Sequence, residues 1–265
     1  MSNPLAIVDR LLEAAVKIVK RRRLAKIERN LEKAMQHAFR EQGKAFATRF
    51  RTTFKDRLPM TEVLREADPI NNDDWESIFW MVAMELEGLF VDPIQEAVTD
   101  AMSQAAEVTN SSAGAGLELS FSLENPRAVK YVQERGAENV KRINETTRDY
   151  IRTVIKQGVE QGWSVDKMAK AITQRYEQFA VGQPQEHIQS RAHLVAAFEA
   201  GQAYEVGNFE MAQQIQDAGY PMEKYWQNVR DSKVSPECRG NTAAGWIPLM
   251  KAFPSGHLHP LAHPA

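Results

Sequence analysis

The sequence predicts a mainly α protein: a helical N-terminal arm and bundle, followed by an α+β domain with a small β-sheet and an irregular C-terminal tail. Three observations carry this reading. Apolar residues recur at three- and four-residue steps through most of the 265 residues, the period of one helix face. Only Leu117, Leu119, Phe121 and Leu123, separated by Glu118, Ser120 and Ser122, show the two-residue alternation of a strand. The stretch Tyr225–Ala265 has another texture, with Pro236, Pro248, Pro254, Pro260 and Pro264 and two of the five tryptophans. Proline removes a backbone donor and clashes with the preceding turn, so this stretch cannot be one long helix.

The first element runs from about Ile7 to Arg57. Leu11, Leu12, Ala15, Val16 and Val19 set its stripe, continued by Leu24, Ile27, Leu31 and Ala34, then Ala38, Phe46, Phe50 and Phe54. Gly43 marks a kink or break within it. An amphipathic helix of this length needs a partner helix. Pro59 ends it, and Thr61–Ala67 reads as a short helix. Asn71-Asn72-Asp73-Asp74 is an N-terminal capping signal, with acids placed to suit the helix dipole. The helix it opens runs from Trp75 to Phe90, and a second follows Asp92-Pro93 to about Val108. The methionines and aromatics here read as core.

Asn110–Gly116 (NSSAGAG) has the composition of a linker and divides the chain into residues 1–112 and 113–265. Beyond it lie helices over 126–134 and 137–161, with Gly162 ending the second and Ser164 capping the next, which turns Met168, Ala171 and Ile172 inward. Further helices cover 186–206 and 208–218. The strand Leu117–Leu123 needs a partner, for which Tyr225–Val229 and Trp246–Leu249 are the candidates. Trp226, Trp246 and Phe253 are expected to bury and anchor the tail.

Charge is unevenly placed. Residues 1–57, a basic arm, hold 15 Lys/Arg against 6 Asp/Glu, whereas the acidic helices of 58–110 hold one Arg against 12 acids. Either the two blocks pack against each other as solvated faces, or the basic block meets an acidic partner such as DNA or another protein. Lys20, Arg21, Arg22, Arg23, Lys26 and Arg29 are the candidate contacts, since clustered cations bind phosphate by counterion release. No run of about 18 apolar residues occurs, so no membrane span is expected. The N-terminus lacks the order of a signal peptide, and the single Cys238 fits a reducing compartment.

The tail concentrates the residues that could do chemistry. Cys238, His257, His259 and His263 make four zinc-compatible ligands, although their spacing matches no compact zinc pattern. The alternative is scattered histidines beside a buried cysteine. Asp231 needs a partner base or metal to be catalytic, and Glu199 reads as a structural contact. No nucleophile elbow, P-loop or GxGxxG is present. The residues alone specify no enzyme.

From about Phe121 to Ala265 the chain resembles the phage head morphogenesis family, which contains minor head proteins similar to protein F of phage Mu. The resemblance rests on the order of landmarks. These are FSLENPRAVKYVQERGAENV (Phe121–Val140), Asn144-Glu145-Thr146-Thr147, Gly162-Trp163-Ser164 and an Arg191-Ala192 helix reaching Glu199 and Ala203. The tail adds Trp226, Asp231, Cys238, Gly240, Phe253 and a His/Pro run. Ala197-Phe198 stand where the family often has Arg-Thr, and the sequence stops at Ala265, where the cysteine cluster that usually closes the family would begin; either this member lacks the cluster or the chain is truncated. The resemblance implies a non-enzymatic minor capsid protein in the virion, inside the head or at the portal vertex, and in the host cytoplasm during assembly. It implies contact with the portal protein and the major capsid or scaffolding protein, a role in DNA packaging or delivery with viral DNA as a further partner, and self-association around the portal. It gives Trp226, Asp231 and Phe253 structural roles. The competing reading is a metal-dependent hydrolase or toxin-like enzyme using the tail's Asp, Cys and His residues.

Overall fold

The computed structural model describes residues 4–55, 72–112, 126–181, 190–228 and 234–260. These form seven helices and one two-stranded sheet: α1 (Pro4–Phe54), α2 (Asn72–Glu85), α3 (Gly88–Ser112), α4 (Pro126–Glu160), α5 (Val165–Val181), α6 (Arg191–Asp217), β1 (Glu223–Lys224), α7 (Pro236–Ala243) and β2 (Ile247–Pro248). The protein is mainly α with a small antiparallel sheet, as its sequence predicts. Two compact units are each assembled from separate stretches. One comprises residues 1–28, 96–132 and 197–265, the other residues 29–95 and 133–196.

In the second unit α1 supplies the central face. Leu31, Met35, Phe39, Gln42, Phe46, Phe50 and Phe54 are all buried, at the three- and four-residue steps that put side chains on one side of a helix. Phe39 meets Phe90 edge-on at 5.3 Å, and Phe46 meets Phe79 likewise at 5.9 Å. The one polar residue on this face, Gln42, donates through Nε2 to Asn144 Oδ1 at 3.0 Å, which lowers the cost of burying an amide. Gly43 does not break the helix. A Cβ there would lie 2.5 Å from Tyr176 Cβ, so the glycine lets α5 approach α1 closely. Around this core α1 is tied by ion pairs. Arg40 forks onto Glu177 through Nη2 and Nε at 2.7 and 2.9 Å, Arg51 reaches Asp166 at 2.7 Å, and Arg49 pairs with Glu85.

In the first unit α3 packs on α6. Ala101, Ala105, Ala106, Ala200 and Ala203 are fully buried, and Ala106, Met211 and Ile215 form a cluster with half-buried Met222. At Gly207 the two helices come closest: an added Cβ would lie 2.5 Å from the Met102 carbonyl oxygen. Thr109 Oγ1 then donates to Asn208 Oδ1 at 2.9 Å.

Several boundaries differ from the periodicity. The break expected at Asp92-Pro93 falls at Leu86–Glu87, where short-range bonds such as Leu89 N–H to Leu86 O end α2 and begin α3. Pro93 lies inside α3, only one turn beyond the start, where few intrahelical bonds precede it. The first residues of the expected linker, Asn110–Ser112, are helical. Residues 126–160 form one helix, and so do residues 191–217, because Gly207 serves a helix crossing rather than a stop. The Gly162 stop is present: with φ 63°, it donates to Val159 O while Trp163 N–H reaches back to Gly158 O, the paired bonds of a Schellman motif. Ser164 Oγ accepts from Lys167 N–H. The expected helix Thr61–Ala67 and strand Leu117–Leu123 lie outside the described residues.

Two outcomes follow. Gly207→Ala forces α3 and α6 apart and is expected to destabilise the protein by about 1–3 kcal/mol, read as a lower urea midpoint; an unchanged midpoint contradicts the close approach. The Arg40 hydrogen bond holds the Glu177 carboxyl below its ordinary pKa. A depressed folded pKa stabilises above the unfolded value and ceases to do so as pH falls through the folded one. Glu177→Gln therefore costs at most about 1 kcal/mol near neutrality, the pair being exposed, and the difference from wild type shrinks as pH falls below the carboxylate range.

Candidate functional site

The tail is held by a small set of contacts in the first unit. Ser235 opens α7: its Oγ accepts from Cys238 N–H at 3.2 Å, with Pro236 at the first helical position, where its missing donor costs nothing. α7 presents half-buried Cys238 to a cluster of Trp226, Ile247 and Phe253. Trp226 and Phe253 meet edge-on at 5.1 Å. Buried Asn241 clamps the following loop, donating to Ser255 Oγ at 2.8 Å and accepting from Ser255 N–H at 3.0 Å. The loop closes on itself as Phe253 N–H donates to His257 O and Gly256 N–H to Phe253 O; Gly256 takes φ 84°, which glycine adopts without strain.

β1 and β2 pair with Glu223 opposite Pro248 and Lys224 opposite Ile247. The small sheet therefore joins two segments of the tail. Alternation sends Lys224, Trp226 and Ile247 inward and leaves Trp246 outside. Trp246 is 67% exposed, 5.6 Å from the Tyr225 ring, so the expectation that it anchors the tail by burial does not hold. Trp246 immediately precedes β2, and neighbouring side chains of an extended chain point to opposite sides, so the position beside inward Ile247 faces out. Lys224 does the anchoring that the sequence did not suggest. Its Nζ donates to Leu258 O at 2.8 Å and lies 5.3 and 5.0 Å from the centres of the Phe209 and Phe253 rings. Partial burial lowers its pKa, and the two ring faces offset part of that desolvation.

These contacts place the zinc-compatible residues. Cys238 faces apolar side chains. His259 Nδ1 lies 3.0 Å from Pro260 O, and its ring is 6.1 Å from that of Phe209. His257 contributes its backbone carbonyl to the loop. Among the described residues no three His, Cys, Asp or Glu side chains gather as a metal ion requires. His263 and Asp231 lie outside the described residues. Glu199 is buried on α6.

The second unit holds a different cation. Arg191, the first residue of α6, follows Ser190, whose Oγ accepts from His193 N–H. The Arg191 guanidinium donates to Thr147 Oγ1 and Ile143 O, both at 2.8 Å, and lies over the Phe39, Phe179 and Tyr150 rings at 5.2–5.9 Å. Burial pulls its pKa down to about 10, so it remains charged at neutral pH. The sequence marked Arg191 as a landmark; the helix-to-helix tie it makes between α6 and α4 emerges only in three dimensions.

Of the basic cluster, Arg22, Lys26 and Arg29 are exposed on α1. The backbone of Lys20, Arg21 and Arg23 is helical, and their side chains lie outside the description. No helix among the described residues is long and apolar enough to cross a membrane.

The chain is thus a helical protein whose tail is folded onto its last long helix. Residues 149–253 match the family model described as Phage Mu protein F like protein. The match begins in α4, takes in α5, α6, the sheet and α7, and ends at Phe253, draws on both compact units, and supports a phage head-related protein. It stops short of His257, His259 and His263. No curated protein and no solved structure matches the chain.

The tail contacts make a contrast testable. Trp226→Ala is expected to cost about 3–5 kcal/mol, whereas Trp246→Ala should stay within about 0.5 kcal/mol. Thermal and urea unfolding of the two variants checks this; equal losses contradict the assigned inner and outer faces.

Proposed function

We propose that the protein is a minor head protein of a tailed phage or prophage. It acts in head assembly through contact with the portal vertex, and in packaging or delivery of the viral DNA. The observation that carries this reading is the match of residues 149–253 to the Phage Mu protein F like family. In it, residues 113–265 are the head morphogenesis part, and residues 1–112 are the part that presents charge. The partners are the portal protein and the major capsid or scaffolding protein. The place of action is the virion, after assembly in the host cytoplasm. The exposed face of α1, with Arg22, Lys26 and Arg29, is the surface for DNA or the portal. Nothing among the described residues favours the hydrolase reading.

Removing residues 1–57 is not a usable test, because Phe39, Phe46, Phe50 and Phe54 belong to the core. Reversing charge on the exposed face leaves that core intact. The experiment is affinity capture of the tagged full-length chain from cells producing the virus, beside the variant Arg22→Glu/Lys26→Glu/Arg29→Glu. Portal and capsid proteins are expected with the wild type, and DNA or portal recovery is expected to fall at least tenfold with the variant. Recovery of the wild type without any head component overturns the reading. Equal recovery of DNA and portal by both proteins removes the α1 face from it.

A further inference from the structure

Among the described residues the charge blocks are only partly neutralised by each other. Arg40, Arg49 and Arg51, in the C-terminal half of α1, each have a carboxylate partner. Arg22, Lys26 and Arg29 are exposed and make no ion pair among the described residues. Their spacing of four and three residues puts them on one face of α1. Lys33, four residues on, is exposed on the same face.

On α3 the opposite holds. Asp92, Glu96 and Asp100 recur every four residues and are exposed, without an ion pair among the described residues. No Lys or Arg occurs anywhere between Arg65 and Arg127, so α3 has no cation of its own to answer these acids. The apolar residues between them, Ile94, Ala97, Val98 and Ala101, are buried, which fixes the acidic side outward.

The two faces match in length as well as in sign. Asp92 to Asp100 on α3 and Arg22 to Lys33 on α1 span on the order of 12 and 16 Å at a rise of 1.5 Å per residue. We infer that the acidic face of α3 receives the cationic face of α1 from a second copy of this chain. The two surfaces differ, so the contact is head-to-tail, and such contacts close into rings or run on as filaments. Because exposed ion pairs are individually weak and screened by salt, the association is reversible and salt-sensitive. It is strongest where copies are already gathered. The inference competes with the assignment of this α1 face to DNA or the portal, since the same side chains cannot hold both at once, and it is therefore read on the purified chain with neither present.

Sedimentation velocity over a range of concentrations tests it, using wild type, the α1 variant Arg22→Glu/Lys26→Glu/Arg29→Glu and the α3 variant Asp92→Lys/Glu96→Lys/Asp100→Lys. Circular dichroism confirms that each is folded. The wild type is expected to associate at about 50 mM salt and to weaken at least tenfold at about 500 mM. Each variant alone is expected to be monomeric. An equimolar mixture is expected to associate again, because the acidic α1 of one variant then faces the basic α3 of the other. A wild type monomeric at every concentration overturns the inference. So does a variant that associates as the wild type does, or a mixture of two folded variants that stays monomeric. Loss of DNA binding by the α1 variant without any change in association assigns that face to nucleic acid and overturns it equally.

Discussion

The second unit depends on the burial of one side of α1. A 51-residue helix gains little from propensity alone; tertiary packing of its apolar face sustains it. From Leu31 to Phe54 that face is a column of large side chains, four of them phenylalanine, closed by α2, α4 and α5 elements of the same unit. Charge plays a secondary part, aligning the rim through Arg40, Arg49 and Arg51. Two of the polar exceptions bond across helices: Gln42 Nε2 to Asn144, and Arg191 to Thr147 and Ile143 O. Paired polar groups inside a packed core set helix register, since an offset of one residue would leave them unsatisfied.

The first unit uses a different device. Both α3 and α6 bury several alanines, and at Gly207 the backbone of α6 comes against the backbone of α3 at Met102, while Met211 and Ile215 pack on Ala106 beside it. The tail then covers the free end of α6 through Lys224, Phe209 and the Trp226 cluster. That arrangement gives the Cys and His residues packing and backbone roles within residues 234–260.

Much of this was legible in the sequence and some was not, for identifiable reasons. Helix faces were legible because burial is periodic: the spacing of Phe46, Phe50 and Phe54 announces itself. The Gly162–Ser164 corner was legible because stop and start signals stood together. Gly43 and Gly207 were misleading, since a glycine demanded by a close approach looks like a glycine demanded by a turn. Trp246 was misleading because size and apolarity do not report strand parity. Lys224, Asn241 and Arg191 act through partners 14 to 48 residues away in sequence, and no local pattern encodes such pairings. The assembly of each compact unit from separate stretches was beyond composition for the same reason.

The inner and outer tryptophans of the tail have an optical consequence. Trp226 lies in an apolar enclosure with 6% of its surface accessible, while Trp246, twenty positions on, is 67% accessible. An indole in water emits at longer wavelength than one in an apolar enclosure, and only the former meets a dissolved quencher. The tail therefore carries two intrinsic fluorophores of opposite environment. Docking of any partner on the outer face of the sheet would shield Trp246 while leaving Trp226 unchanged, a change read against the emission of Trp75, Trp80 and Trp163.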